Sequence, residues 1–166
     1  MITLGVLSFM SCSNTATGFD LPSQQDSFSG KIFYNNKVDI LFVVDNSKSM
    51  LQYQRRLAAQ VTALVATLNS LKMDYRVAVT TTTMSQDKIS YPMSRELIGS
   101  PVYLTSSNIG ALADRLIVGE AGSDLERGLD AMYHVISPAY LSSIQSNFIR
   151  SDALLSVIFI SDEKDM

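Results

Sequence analysis

Three stretches of the chain, Val38–Val44, Tyr75–Thr82 and Leu154–Ile160, are dominated by apolar and β-branched residues. They read as strands, the first and third of them buried. Between them the apolar positions change to helical spacing. Leu57, Val61, Leu64, Val65, Leu68 and Leu71 place one buried face on a helix running from Ser49 to about Leu71. Ile109–Ile117 predicts a second helix. A third is expected to start near Ser123, with Leu125, Leu129, Met132, Val135 and Ile136 on one side and Pro138 just past its end. Leu141–Phe148 adds a short helical piece. Ser100–Thr105 predicts a short strand, which Pro101 assigns to a sheet edge because proline cannot donate to an interior ladder. Strands alternating with helices imply parallel pairing, so the fold class is an α/β sandwich.

Composition narrows the picture. The 166 residues are 46% hydrophobic and 17% charged, the balance of one globular domain with a real core. A net charge of −3 offers no electrostatic case for binding nucleic acid. The single cysteine, Cys12, has no internal disulfide partner. It follows Ile2–Met10, an apolar run of the length found in secretory signals, and a small residue, Ser11. Residues 1–12 therefore resemble a bacterial lipoprotein signal, with Cys12 as the lipidation site. An ordinary signal peptide and an N-terminal hydrophobic helix are the alternatives. Residues 13–30 are polar and rich in structure breakers, including Pro22, and read as a flexible tether. Residues 31–166 form the expected folded domain. By analogy, Ser13 after the cysteine favours sorting to the outer membrane.

The chemistry gathers at strand ends. Val44-Asp45-Asn46-Ser47-Lys48-Ser49 closes the first strand with an acid followed by hydroxyls two and four positions on. Open α/β sheets bind ligands at the carboxyl ends of their strands, and hard divalent cations take oxygen ligands. Two distant segments repeat the theme. Gly122-Ser123-Asp124-Leu125-Glu126-Arg127-Gly128-Leu129 is a glycine turn opening a helix, and Ile160-Ser161-Asp162 is a second strand ending in an acid. Together these motifs resemble the metal-ion-dependent adhesion site of von Willebrand factor A domains. Lys48 stands where that family has a small residue, and Ser123 where it usually has threonine.

The resemblance implies a Rossmann-like sandwich with a mostly parallel central sheet flanked by helices. It implies Mg²⁺ as cofactor, with Mn²⁺ or Ca²⁺ as possible substitutes. Ser47, Ser49 and Ser123 would be direct ligands, and Asp45 and Asp162 would act through water. A partner protein's acidic side chain would complete the coordination. It also implies that the Leu154–Ile160 strand is interior, with further strands beyond it, so that the domain is incomplete at its C-terminus. Duller roles compete for these residues: Ser47 or Ser49 could cap the following helix, and Asp45 could be a strand-end carboxylate held by backbone amides.

Enzyme readings find little support. A phosphoryl-transfer site of the haloacid-dehalogenase kind needs a second aspartate where Ser47 stands. Gly-x-Ser-x-Gly elbows, Gly-x-x-x-x-Gly-Lys-Ser/Thr loops and paired histidines are all missing from the sequence. His134, the sole histidine, reads as a surface or boundary residue. The expectation is a non-enzymatic, extracytoplasmic adhesion module of the bacterial cell envelope, touching membrane through its lipid anchor only. A structural envelope or pilus-associated module that recruits no partner is the main alternative. A metal-dependent phosphatase is a remoter one.

Overall fold

All three predicted strands form, and they pair in parallel. In the computed structural model, which describes residues 35–162, β1 (Lys37–Val44) is central, with β2 (Asp74–Thr81) and β3 (Leu154–Ile160) on either side. The described residues belong to one compact unit, Tyr34–Met166. The signal segment, the tether and Cys12 lie outside them.

β1 is apolar on both faces because helices cover both. Ile40, Phe42 and Val44 point to one side, where they meet α1 (Leu51–Ala59), α2 (Val61–Ser70) and the segment around α3 (Leu112–Arg115). Leu41 and Val43 point to the other, against α4 (Gly128–Ile136) and α5 (Pro138–Ser143). This alternation is the period-2 geometry of a strand. The result is a three-stranded, all-parallel open sheet between two helical layers.

The boundaries depart from the sequence pattern in informative ways. The helix expected over 49–71 is two helices meeting at Gln60, whose N–H bonds Leu57 O three residues back at 2.9 Å. That tightened turn interrupts the α-helical ladder. The 109–117 helix shrinks to a 3₁₀ turn at Ile109–Ala111 followed by α3. Ser100–Thr105 is not a strand. Only Leu104 pairs, in an isolated antiparallel bridge to Val77. The helical piece expected at Leu141–Phe148 is α5 instead, begun earlier by Pro138 at its first turn and by Ser137 Oγ accepting from Tyr140 N.

The third helix starts at Gly128 rather than Ser123. The amides of Gly122 and Arg127 bond Asn46 O (2.7 Å) and Thr82 O (3.1 Å), and Ser123 N bonds Thr83 Oγ1 (3.1 Å). The segment is thus stretched between the ends of β1 and β2 instead of coiling. Leu125 and Leu129, expected on a buried face, are consequently exposed.

The two outer edges of the sheet differ. Beside β2, Ile98 N bonds Val79 O (2.8 Å) and Leu104 exchanges bonds with Val77. Beside β3, no strand pairs among the described residues. Yet Ile158 packs into one core and Val157 into the other, while Leu154 and Phe159 are 67% and 43% exposed. A groove of about 220 Å³ flanks the strand on each face, one lined by Leu129 and Phe159, the other by Leu57, Leu64 and Ile158. An apolar edge without charge or proline is a template for pairing with another chain. The 166-residue chain should therefore self-associate as concentration rises in sedimentation velocity, and Phe159→Lys should suppress this. A monodisperse wild type at all concentrations would contradict it.

Candidate metal centre

β1 delivers Asp45 to the carboxyl end of the sheet, where it is fully buried. Its backbone N–H bonds Ile160 O at 2.9 Å, which ties the ends of β1 and β3 together. Its carboxylate accepts from Ser47 N through Oδ1 (2.7 Å) and from Ser161 Oγ through Oδ2 (3.2 Å). The backbone-amide role considered for Asp45 thus accounts for one of its two oxygens.

Two buried devices hold this end in place. Gln54 on α1 is completely buried. Its amide nitrogen donates to Asp45 O (2.9 Å) and Gly119 O (2.8 Å), and its amide oxygen accepts from Gly119 N (3.0 Å). Gly119 has φ +79°, a left-handed conformation suited to glycine. Gly122 packs so closely on Asn46 that a Cβ there would collide with the asparagine's side chain and carbonyl. Asn46 Oδ1 also accepts from Thr83 Oγ1 at 2.9 Å. Neither Gln54 nor Asn46 stands out in the sequence, since each is one polar residue in an ordinary polar position.

The loop so fixed carries Glu126 against Asp45. Glu126 is 3% exposed, and its Oε2 accepts from Ser161 Oγ at 2.7 Å. Asp45, Glu126 and Asp162 each offer a carboxylate oxygen, all within 4.8 Å of one another. Two of these acids are buried and Asp162 is exposed. Burial, with contact to the Asp45 carboxyl and its charge, pushes the Glu126 pKa from 4.5 up to about 7, against the Ser161 and Ser47 hydroxyls pulling it down. A hydroxyl has one proton to give, so Ser161 cannot neutralise both carboxylates. A proton held by the pair, or a cation beside it, would relieve the repulsion between the two carboxylates.

The predicted residues are distributed unevenly around this cluster. Asp45, just past the central β1, and Asp162, two residues past its neighbour β3, lie close together. Ser47 is 6% exposed, and its Oγ lies near enough to the Glu126 carboxyl to hold its pKa down without forming a well-shaped hydrogen bond. Ser49 and Lys48 are exposed on the turn before α1. Neither serine caps α1, which has no side-chain cap, so that competing role falls away. Ser123 Oγ accepts from Leu125 N at 3.1 Å, and Ser123 lines a separate depression with Met84, Ser85 and Arg127. Glu126 lies inside the Gly122–Leu129 motif, but the sequence does not single it out. Its signal was an acid three positions after the serine, indistinguishable there from a solvated helix residue.

These residues fit a divalent cation. Buried polar atoms ordinarily have partners, yet Ser47 Oγ and Glu126 Oε1 have none, and both belong to the convergent set. The three carboxylate oxygens lie within 4.8 Å of one another, near enough to share one oxygen-liking divalent cation. No family model matches the chain, and no curated protein or solved structure is significantly similar to it.

Proposed function

We propose that this chain is a divalent-cation-dependent protein-binding module of the von Willebrand factor A kind, carried on a bacterial envelope lipoprotein. The observation that carries the reading is the meeting of Asp45 and Asp162, acids that end β1 and follow β3, with the buried Ser47 hydroxyl beside them. A bound Mg²⁺, Mn²⁺ or Ca²⁺ would supply a Lewis-acidic centre able to take an oxygen from a partner. Asp45 and Glu126 would hold it from the buried side. Asp162, the exposed acid, marks the side from which a partner's acidic side chain would approach. The apolar character of β3 on both faces supports the family's arrangement, in which that strand is interior. The lipid anchor at Cys12 and outer-membrane placement rest on the sequence alone. No helix among the described residues is long and apolar enough to cross a membrane.

A second reading is favoured by the complete burial of Asp45: the ion is a structural staple between β1, β3 and the 122–127 loop, and recruits nothing. Cation binding is common to both readings. Mg²⁺, Mn²⁺ or Ca²⁺ should raise the melting temperature by mass action, about 2.7 kcal/mol at one hundred times the dissociation constant. Asp45→Ala should abolish the increment. Equal cation responses of wild type and Asp45→Ala would remove the site. Cation-dependent capture of a partner then separates the module from the staple.

A further inference from the structure

The resemblance implies hydroxyl ligands and one position left for a partner's carboxylate, but the structure brings a third carboxylate of the chain's own to the same place. Glu126 is buried, its Oε2 is engaged by Ser161 at 2.7 Å, and its Oε1 has no partner. Ser47, also buried, lies beside it, its Oγ without a well-formed hydrogen bond. Counting charge, Asp45, Glu126 and Asp162 contribute three negative charges against two on the ion. A further anion would meet a centre that is already negative overall, and the desolvated setting strengthens that repulsion. The 122–127 loop holding Glu126 is fastened at its ends, by Gly122 N to Asn46 O and Arg127 N to Thr82 O.

Building on the metal-binding reading above, we infer that Glu126 is an internal ligand that occupies the carboxylate position of the loaded site, so that an acidic partner engages the ion only by displacing it. The module is then closed at rest, and a partner must draw Glu126 away from Asp45 to bind.

The test uses the full chain and its Glu126→Gln variant, with a short uncharged-flank peptide carrying a single glutamate as the acidic probe. Calorimetry first measures Mn²⁺ and Ca²⁺ binding. Glu126→Gln is expected to weaken it at least ~10-fold, the scale seen when groups supporting a metal site are removed. At saturating Mn²⁺, the probe should bind the variant and not the wild type. Water-proton relaxation by bound Mn²⁺ should report one more exchangeable water in the variant, a readout that a loss of fold would not produce. Asp162→Asn serves as a control: it should weaken the ion without admitting the probe. Cation affinity indifferent to Glu126→Gln would overturn the inference, as would equal probe binding by both loaded proteins or by neither. A wild type that binds no cation would remove the metal reading itself, and this inference with it.

Discussion

Replacing Asp39 by alanine should cost this fold about 3–5 kcal/mol, the usual penalty for stranding one member of a buried ion pair. Asp39 interrupts the apolar run of β1 and is 1% exposed. Its two oxygens accept from Arg150, one from Nε at 2.9 Å and the other from the backbone N–H at 2.7 Å. The same guanidinium donates to Val38 O (3.2 Å) and Asp74 O (3.0 Å) and pairs with the Asp74 carboxylate at 2.8 Å. One arginine thus joins the starts of β1 and β2 to the segment leading into β3. Without Asp39, the Nε of an arginine side chain that is 12% exposed and the Arg150 backbone amide lose their acceptors together, and the guanidinium keeps only the partly exposed Asp74 carboxylate as its counter-charge. Against a typical total stability of about 5–15 kcal/mol, the loss would move urea unfolding to a much lower midpoint. Asp74→Ala provides the contrast. Its side chain is 54% exposed, so the expected cost is below ~1 kcal/mol. A loss under ~1 kcal/mol for Asp39→Ala would show that water reaches Arg150 freely.

Strand identity was legible because apolar runs of seven or eight residues with β-branched character leave few alternatives, and all three such runs pair. What the pattern could not supply was where loops are held. Ser123–Arg127 has helical spacing, but its amides find better partners at the ends of β1 and β2. Tertiary bonds overrode local periodicity, and Leu125 and Leu129 turned outward with them. At the site, the closeness of Asp45 and Asp162 follows from strand position, Asp45 directly after the buried β1 and Asp162 two residues past β3, which is only partly buried rather than buried as the pattern predicts. Glu126 and Gln54 could not be placed in this way, because their burial depends on how the 116–127 segment crosses the sheet's end. Asp39 was visible in the sequence as an acid inside an apolar run, but its partner, 111 residues away, was not.

The ends of the sheet therefore have opposite characters. At the amino end, Asp39 and Arg150 neutralise one another within the fold. At the carboxyl end, Asp45 and Glu126 are two buried acids bridged by the Ser161 hydroxyl, and no Lys or Arg pairs with either among the described residues. A fold that is electrostatically complete at one end leaves, at the other, an acid pair whose repulsion a shared proton would relieve, or, on the function proposed above, a cation.

That acid pair has a measurable pH signature. Glu126 binds its proton more tightly folded, with a pKa of about 7, than unfolded, near 4.5. Its contribution to stability is fully present below pH ~4.5 and is lost as pH rises through 7. Each pKa unit corresponds to about 1.36 kcal/mol, so the cation-free protein should lose up to ~3 kcal/mol between pH 4.5 and 8, less whatever water reaches the pair. His134 acts in the opposite sense. Burial, reinforced by the charge of Arg95, holds its pKa below 6.5, so its share of stability grows with pH below that value. Measurements in a His134→Gln background isolate the carboxyl pair. In chelator, the melting temperature of that protein should fall steadily from pH 5 to pH 8, and Glu126→Gln should flatten the fall. Saturating Mg²⁺ or Ca²⁺ should do the same by replacing the proton, so the stabilisation due to the ion should grow with pH over the same interval. A cation-free melting temperature that is level or rising from pH 5 to pH 8 would mean that Glu126 ionises beside Asp45 without cost, and that the pair does not need a cation.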